Sequence, residues 1–383
     1  MQSKPRLTWR ETLLLVPKLL VAFPAVFTAN NLRVIAIAII WRLDIRVAIR
    51  CMLIRTAFKV LTPRDLQFIL PTTRQRYDSF IKKQQRQLRN TKYEQLAIHD
   101  VEVLPTEKPS SLLWLGNRKT ADKVVLFLHG GGFIIPTSSH HIPWAWDCYV
   151  KAPFEAGYNV ACAAFQYTLS PEAKYPGQLE QTVVALKHIF SQGFKPSDVI
   201  IGGDSAGANL SIQLMLLLYR GNEFLPDWKL DEPLLGIFQV STVLSMIEDN
   251  FPSCRTNTAS DMIAPNLVHT FMLDLLTPEH YIEYKDGRTT DGLPLDAGFE
   301  DCRDLDSVVS NMYINYGEYE YAASHSVELA RLLAINSPRM NVTVREDPKG
   351  PHDAILLEYM VHGKPGPSAK AMKEWTQSLW KAS

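Results

Sequence analysis

The pentapeptide Gly203-Asp204-Ser205-Ala206-Gly207 is the part of this sequence whose residue types point most directly to chemistry. It follows the apolar run 199–201 and precedes the helical stretch 206–220, so a sharp strand-to-helix turn is predicted to present Ser205 above the edge of a sheet. A serine held in this way can attack a carbonyl carbon as a nucleophile. The alternative is an ordinary glycine-rich turn or one that binds phosphate, although the chain has no G-x-G-x-x-G or GxxxxGK(S/T) motif.

A second segment, His129-Gly130-Gly131-Gly132-Phe133, could stabilise the charge that such an attack creates. It comes directly after the apolar run 124–128, and its three consecutive glycines leave backbone N–H groups free to converge on an anion. We expect the N–H groups of Gly131, Gly132 and Ala206 to bind the oxyanion of a tetrahedral intermediate, to which one such donor contributes about 3–4 kcal/mol. A flexible loop is the alternative.

Together these segments resemble the hormone-sensitive-lipase and arylacetamide-deacetylase group of α/β-hydrolases, which combines HGGG, GDSAG and a stretch similar to YRLAPE. Here the third stretch is Tyr167-Thr168-Leu169-Ser170-Pro171-Glu172, and the similarity covers about residues 120–360. Thr168 replaces the family's arginine, so an ion pair expected there is in question. The resemblance implies hydrolysis of carboxylic esters without a metal or organic cofactor, a cap built partly from N-terminal helices, and supporting roles for His129, Gly130, Asp204 and Glu172.

The general base is expected to be a histidine that follows the last strand, because the chain order in this fold is serine, then acid, then histidine. His352 lies in the Gly-Pro turn KGPHDA (349–354), directly after the predicted strand 340–346. It is the only histidine between Ser326 and Tyr359. We therefore predict that His352 is the base, with His362 as the alternative.

The acidic member of the triad is expected just after the preceding strand, within Gly317-Glu318-Tyr319-Glu320. The family pattern G-x-x-(D/E)-x-L matches Glu320, although Ala322 stands where the leucine is expected. Such an acid fixes the tautomer of the imidazole and stabilises the imidazolium that forms. We predict Glu320 for this role, with alternatives at Glu318, Asp353 and Asp347.

The apolar runs of the chain predict the elements that must position these residues. Short apolar runs alternate with helical stretches such as 178–191 and 206–220, a pattern typical of parallel strands buried on both faces. We predict an α/β fold with a mostly parallel sheet, helices on both faces, and strands at 123–129, 158–167, 198–204, 234–241, 312–317 and 340–346. Residues 99–117 are expected to add earlier strands, and residues 250–310 to form a lid insertion.

The N-terminal part of the chain differs from the rest in charge and hydropathy. Residues 1–100 hold 18 Lys and Arg against 6 Asp and Glu, although the whole chain holds 40 of each kind. The stretches 13–29 and 32–41 are apolar, but Lys18, two prolines and an Asn pair interrupt them, so neither is predicted to be a clean transmembrane span of about 20 residues. Beyond them, a helix with a basic stripe is predicted from the spacing of Arg42, Arg46, Arg50 and Arg55.

Three interpretations of this N-terminal part remain open. It can be an uncleaved anchor or interfacial helix that contacts a membrane through residues 10–60, a cap helix packed on the catalytic body, or a cleaved signal. We favour membrane contact, at the endoplasmic reticulum or another endomembrane, with a cytoplasmic location as the alternative. Residues 1–98 are accordingly assigned to a separate basic and apolar segment, and residues 99–383 to the α/β-hydrolase catalytic domain.

Histidine and cysteine spacing gives little support for a metal site. The adjacent pair His140-His141 is interpreted as part of a polar loop, because neighbouring side chains point apart and no carboxylate or cysteine stands at ligand spacing. The five cysteines form no CxxC pair, which favours reduced thiols without excluding one disulfide.

These residues favour a serine esterase or deacetylase that acts on a small lipophilic ester with a short acyl group. The predicted cap contributes apolar side chains that suit such a substrate, namely Trp41, Phe133, Trp144, Trp146, Phe271 and Met272. A resemblance to fungal sequences implies a role in secondary-metabolite synthesis. The alternatives are a cyclase, transacylase or formamidase of the same fold, or a non-catalytic ligand-binding receptor. The balanced charge argues against a nucleic-acid partner, and the oligomeric state is left open.

Overall fold

Eight strands form one sheet in the computed structural model, which describes residues 4–259, 261–277 and 292–382. Their order across the sheet is β1-β2-β4-β3-β5-β6-β7-β8. Strands β3 to β8 run parallel, whereas β2 pairs antiparallel with both β1 and β4. The strands are β1 Asp100–Val103, β2 Ser111–Leu115, β3 Lys123–Leu128, β4 Val160–Gln166, β5 Val199–Asp204, β6 Gly236–Val240, β7 Asn311–Gly317 and β8 Asn341–Asp347.

The predicted α/β fold with a mostly parallel sheet is confirmed. All six predicted strands form close to their expected ends, and residues 99–117 supply β1 and β2. Every residue of β4, β5 and β6 is buried, as expected for strands covered by helices on both faces. Two apolar cores lie on the two sides of the sheet. Because the strands are packed between them, their carboxyl ends are held in place.

Fourteen α-helices surround this sheet in the described part of the chain. The predicted helices 178–191 and 206–220 are confirmed as α8 and α9. The helices are α1 Trp9–Pro17, α2 Phe23–Ile40, α3 Ile45–Val60, α4 Pro63–Ile69, α5 Thr73–Gln87, α6 His141–Trp146, α7 Ala152–Glu155, α8 Gly177–Ser191, α9 Ala206–Arg220, α10 Ser253–Thr256, α11 Pro265–Leu275, α12 Ala323–Asn336, α13 Ala354–His362 and α14 Pro367–Ala382.

The N-terminal apolar stretches form one helix, not two interrupted ones. A π-helical turn, Lys18–Ala22, joins α1 to α2, and the resulting helix runs for 32 residues. The interruption expected at the prolines is wrong: the wider π turn lies just before Pro24, where its ring and missing N–H would conflict with an α turn, and the helix continues through Pro17 without a break. Within the described ranges, it is the one helix long and apolar enough to cross a membrane.

One face of this long helix packs on the protein. Leu15 joins an apolar cluster with Leu66 of α4, and Lys18 Nζ lies 2.5 Å from Asp65 Oδ2. Val34 packs farther along the helix, in a cluster with residues of α3. The other face exposes large apolar side chains to solvent, among them Leu13, Leu14, Leu20, Val21, Ile39 and Ile40.

The N-terminal helices and the insertion between β6 and β7 together cover the carboxyl end of the sheet. Cys51 of α3 and Leu66 of α4 share an apolar cluster with Cys254 of α10 and Phe271 of α11. The predicted lid at 250–310 is therefore partly described, and its residues 278–291 lie outside the described residues. Arg55 was expected on a solvated basic stripe, but it is half-buried and donates to the carbonyl of Thr258 in the insertion.

Candidate active site

Ser205 occupies the sharp turn between β5 and α9. Its φ of 49° and ψ of −114° are strained for a residue with a side chain, and such strain is typical of functional positions. The turn is fixed because the Ser205 N–H donates to the Val240 carbonyl at 2.8 Å. Gly203 must be glycine, since a Cβ there would lie 1.7 Å from the carbonyl oxygen of Leu128. The motif thus forms the predicted strand–turn–helix.

His352 lies beside this serine, although 147 residues separate them in the chain. Its Nε2 is 2.8 Å from Ser205 Oγ, and both side chains are buried. Burial lowers the pKa of His352 to about 4, so the ring is neutral near pH 7 and can accept the serine proton. Among the described residues, its buried Nδ1 has no hydrogen-bond partner.

Glu320 is fully buried in the same region, directly after β7. Its Oε2 accepts hydrogen bonds from Ser241 Oγ at 2.6 Å and from the Gly317 N–H at 2.9 Å. Burial raises the pKa of Glu320, and these two donors oppose that rise. Ser241 Oγ also accepts from the Asp353 N–H at 2.9 Å, so this hydroxyl links the Glu320 carboxylate to the residue that follows His352. No hydrogen bond between Glu320 and His352 is described, and Glu320 Oε1 is buried without a described partner.

Three of the alternative residues have no described contact with Ser205 or His352. Glu318 accepts from the backbone N–H of Lys349 in the loop after β8. The carboxylate of Asp347 accepts from Asn315 and Ser368 side chains, and His362 lies at the C-terminal end of α13. The structure therefore does not bring these three side chains to the nucleophile.

Asp353 is the alternative acid that lies close to His352. Its Oδ2 is 3.7 Å from His352 Nε2, and its Oδ1 is buried without a partner among the described residues. The residue adopts a left-handed conformation with φ of 55°. Burial raises its pKa, and the nearby carboxylates of Asp204 and Glu320 raise it further. Geometry alone thus leaves two buried carboxylates near the imidazole.

The glycine loop lies next to the nucleophile, as predicted. Gly132, Ser205 and Ala206 border the same small cavity, whereas the carbonyl of Gly131 accepts the N–H groups of residues 134 and 135. Gly132 has a φ of 60°, and a Cβ there would lie 3.1 Å from the ring of Phe271. A side chain at this position would be strained by the positive φ and would crowd the Phe271 ring, so glycine allows the close approach of α11 to this loop.

Asp204 connects the serine turn to the glycine loop. Its buried carboxylate accepts the Gly130 N–H at 3.0 Å and lies 2.7 Å from Nε2 of His141. The interpretation of His141 as part of a polar loop is wrong, because this side chain is buried at the first residue of α6. Sequence reasoning missed this contact because 63 residues separate the pair, and only the buried acid inside the serine motif hints that a partner is required.

His129 supports the same loop, whereas Glu172 does not. The ring of His129 stacks on Tyr167 with centroids 4.5 Å apart, and the Tyr167 hydroxyl donates to the His129 carbonyl at 2.7 Å. Burial lowers the pKa of His129 to about 4, so it serves as a neutral packing group. Glu172 is exposed, so the structure does not bring its side chain to the site.

The described wall of the site is apolar and narrow. The cavity beside Ser205 has a volume of about 20 Å³ and is lined by Phe133, Val243, Ile263, Val268 and Phe271. Trp144 and Trp146 were expected in the cap, but they belong to the core on one face of the sheet, whereas Trp41 ends the N-terminal helix and packs against Tyr319. The side chain of Met272 lies outside the described residues.

Metal ligands are not grouped in the described ranges. No cluster of three or more His, Cys, Asp or Glu side chains that could hold a metal ion occurs there. All five cysteines are free and buried, so no disulfide forms.

Comparisons with known proteins agree with the fold described above. Residues 125–356 match the family described as alpha/beta hydrolase fold, and residues 13–229 match the family described as steryl acetyl hydrolase. Mouse hormone-sensitive lipase is 35% identical over 126 residues, which cover 32% of this chain and 15% of that protein. Rabbit arylacetamide deacetylase is 23% identical over 171 residues, which cover 43% of this chain and 40% of that protein.

A solved structure supports the fold independently. An esterase/lipase from an uncultured bacterium superimposes with a TM-score of 0.57 at 19% identity, over 88% of this chain and 99% of that one. The first curated relatives match over no more than 36% of their own length. The resemblance to the hormone-sensitive-lipase and arylacetamide-deacetylase group is confirmed. Because each family match covers more than half of the chain, the protein belongs to the α/β-hydrolase fold family and, over residues 13–229, to the steryl acetyl hydrolase family.

Proposed function

We propose that this protein is a serine carboxylesterase in which Ser205 is the nucleophile and His352 the general base. The observation that carries this proposal is the 2.8 Å contact between Ser205 Oγ and His352 Nε2, at a strained turn beside a glycine loop. The Ser205 hydroxyl adds to the ester carbonyl while His352 Nε2 takes its proton. The N–H groups of Gly131, Gly132 and Ala206 then hold the oxyanion.

The second half of the reaction uses the same groups. The protonated His352 gives its proton to the departing alkoxide, which leaves as the alcohol, and an acyl ester remains on Ser205. Water then adds to this acyl ester as His352 takes its proton. Collapse of the second intermediate returns the proton to Ser205 Oγ and frees the carboxylic acid.

Glu320 is the acid that we propose for this triad. When Nε2 accepts from Ser205, the imidazole proton must reside on Nδ1, which then needs an acceptor. Nδ1 of His352 and Oε1 of Glu320 are both buried without a described partner, and a bond between them would satisfy both atoms. The donors at Ser241 and Gly317 favour the ionised form of Glu320 that this role requires.

The proposed substrate is an acetyl or other short-chain ester of a lipophilic alcohol. A cavity of about 20 Å³ beside Ser205 leaves room for roughly one small group, so a short acyl chain fits better than a long one. Its walls carry the side chains of Phe133 and Phe271, which suit an apolar partner. The match to the steryl acetyl hydrolase family supports deacetylation of a bulky apolar alcohol.

A series of p-nitrophenyl esters from acetate to palmitate tests the substrate class. We expect kcat/KM to fall by about 100-fold between acetate or butyrate and palmitate, because chains that exceed the pocket lose apolar contact or clash. Phe271→Ala should widen the cavity and reduce the ratio of kcat/KM between the short esters and palmitate. Phe224→Ala changes an exposed ring outside the site and should leave that ratio unchanged. Faster hydrolysis of palmitate than of acetate by the wild type would contradict the short-acyl proposal.

The reaction is also proposed to belong to a biosynthetic pathway. We infer a role in secondary-metabolite synthesis, supported only by the resemblance to fungal sequences. A cyclase, transacylase or formamidase would use the same serine and histidine, so analysis of the products formed from acetylated candidates distinguishes these from hydrolysis. Release of free acetate and one alcohol per turnover is the outcome expected of a deacetylase.

We also propose that the protein contacts a membrane, at the endoplasmic reticulum or another endomembrane, through the exposed face of its N-terminal helix. That face presents Leu13, Leu14, Leu20 and Val21, while the opposite face packs on α3 and α4. Arg33, Arg42 and Arg46 are exposed near its C-terminal end and can attract anionic headgroups. A cytoplasmic protein without membrane contact is the alternative.

Flotation with phosphatidylcholine–phosphatidylserine vesicles tests this contact. We expect the wild type to float and the variant with Gln at positions 13, 14, 20 and 21 to remain in the soluble fraction, because each lost apolar side chain removes about 1.5–3 kcal/mol of burial free energy. A matched control replaces Val327 and Ile335, which are exposed on α12, by Gln and should still float. Equal flotation of the wild type and the quadruple variant would exclude this face as the contact.

A further inference from the structure

Asp261 is a buried carboxylate that lies in the insertion between β6 and β7, outside the proposed triad. It stands between α10 and α11 and is completely shielded from solvent. Its Oδ1 accepts the backbone N–H of His352 at 3.0 Å and that of Met262 at 2.7 Å. Its Oδ2 accepts the backbone N–H of Tyr321 at 2.6 Å.

These bonds join three separate parts of the chain at one side chain. His352 belongs to the loop after β8, and Tyr321 directly follows Glu320 in the loop after β7. One carboxylate of the insertion therefore connects the two loops that carry the proposed base and acid. Burial raises the pKa of Asp261 to about 7, and the N–H donors of the two loops and of Met262 oppose that rise. Burying a carboxylate without such donors would cost free energy of folding. The three N–H groups therefore define where this side chain can lie.

The backbone anchor matters because it fixes where the imidazole of His352 lies between Ser205 and the proposed acid, Glu320. Its Nε2 meets Ser205, but its Nδ1 has no partner among the described atoms. The contact of the ring with Ser205 and the bond proposed above between Nδ1 and Glu320 therefore both depend on where the backbone of residue 352 is held. Asp261 is a side chain that holds this backbone directly, through the 3.0 Å bond to the His352 N–H.

Arg55 of the N-terminal helix α3 extends this connection to the cap. One guanidinium nitrogen donates to the carbonyls of Thr258 and Asp261, at 2.5 Å and 3.3 Å. More than 200 residues separate these partners along the chain. A continuous set of hydrogen bonds thus runs from the cap helix, through the insertion, to the backbone of His352.

We propose that Asp261 is a positioning residue: Arg55 holds its backbone carbonyl, and its carboxylate sets His352 at the correct distance from Ser205. This inference rests on the proposed hydrolase function. It adds a role for the insertion: besides covering the pocket, the insertion completes the support of the base. The cap is then required for turnover even with substrates that do not touch it.

The test compares Asp261→Asn with the wild type after titration of the reactive serine with a fluorophosphonate. The asparagine keeps the volume but offers one acceptor: with that oxygen toward His352 it loses the bond to Tyr321, and with it toward Tyr321 it loses the bonds to His352 and Met262. Asp261→Leu, which accepts none of these N–H groups, is therefore measured beside it. We expect kcat per titrated site to fall by about 10- to 100-fold with KM within about threefold, because a displacement near 1 Å can cost 100-fold. Asp296→Asn is the matched control, since that carboxylate lies in the same insertion and bonds Ser245 and Met246 after β6.

Arg55→Leu gives a second measurement on the same connection. We expect a smaller decrease of kcat in the same direction, and the double variant with Asp261→Asn should lose less than the product of the two separate effects. An unchanged kcat per titrated site in both Asp261→Asn and Asp261→Leu, or a loss in both equal to that of Asp296→Asn, would overturn the positioning role.

A crystal structure of Asp261→Leu, in which neither loop N–H keeps this acceptor, separates this inference from the proposed function. We expect the distance between His352 Nε2 and Ser205 Oγ to exceed hydrogen-bond range in the variant, and a distance that stays near 2.8 Å would overturn the inference. Failure of the wild type to react with the fluorophosphonate or to hydrolyse any ester would instead refute the proposed function, while the crystallographic comparison still decides the role of Asp261.

Discussion

Ser205→Ala is expected to lower kcat for p-nitrophenyl acetate by about 10⁵- to 10⁶-fold, close to the effect of removing a whole triad. The loss is large because no acyl-enzyme can form without the hydroxyl, and the histidine then has no group to activate. The backbone donors remain, so a residual rate above that of water is expected. Labelling by a fluorophosphonate should disappear together with turnover.

The control for this variant is Ser191→Ala, which removes an exposed hydroxyl at the end of α8. It should keep full activity and full labelling. Turnover that survives Ser205→Ala would require a different mechanism. A wild type that neither labels nor hydrolyses esters would favour a non-catalytic ligand-binding receptor of the same fold.

The positions of the strands could be predicted from the sequence because each strand corresponds to a short apolar segment of the chain. The apolar runs 158–167 and 198–204 become β4 and β5, since strands buried on both faces need continuous apolar residues. The position of Ser205 follows from the same local logic, because glycines and a following helix define its turn. His352 was found by its place after the last strand.

Contacts between distant segments could not be predicted in this way. The pairing of Asp204 with His141 and the three bonds of Asp261 join residues that no local spacing relates. The N-terminal helix was misjudged for a different reason. Proline ends a helix only where its ring and missing N–H conflict with the preceding turn. The π turn Lys18–Ala22 precedes Pro24 and relieves that conflict there, and the helix continues through Pro17 without a break.

Two residues, Glu320 and Asp353, are candidates for the acid of the triad, and the sequence and the geometry support them differently. The family pattern selects Glu320, which is bonded to Ser241 and Gly317. Geometry adds Asp353, whose carboxylate lies 3.7 Å from Nε2 of His352. Nε2 is the atom that faces the serine, so a carboxylate on that side cannot hold the proton on Nδ1. The acid must instead reach the opposite nitrogen, which favours Glu320.

Glu320→Gln should therefore lower kcat by about 10³- to 10⁴-fold, while Asp353→Asn should lower it by less than tenfold. The glutamine keeps the size of the side chain, but its amide can stabilise neither the Nδ1–H tautomer nor the imidazolium as a carboxylate does. Asp353→Asn removes a buried acid of the same kind from the same pocket, so it controls for the general loss of negative charge near His352. Both variants are measured with p-nitrophenyl acetate, after circular dichroism shows that each is folded.

The relative size of the two losses decides the assignment. If Asp353→Asn is the more damaging variant, the proton on Nδ1 is held from the loop after β8, and the ring of His352 must turn during the reaction. If Glu320→Gln is the more damaging variant, the loop after β7 supplies the acid and Ser241 acts as its support. In that case Ser241→Ala should produce an intermediate loss, because Glu320 would keep the Gly317 N–H but lose the hydroxyl that holds its other bond.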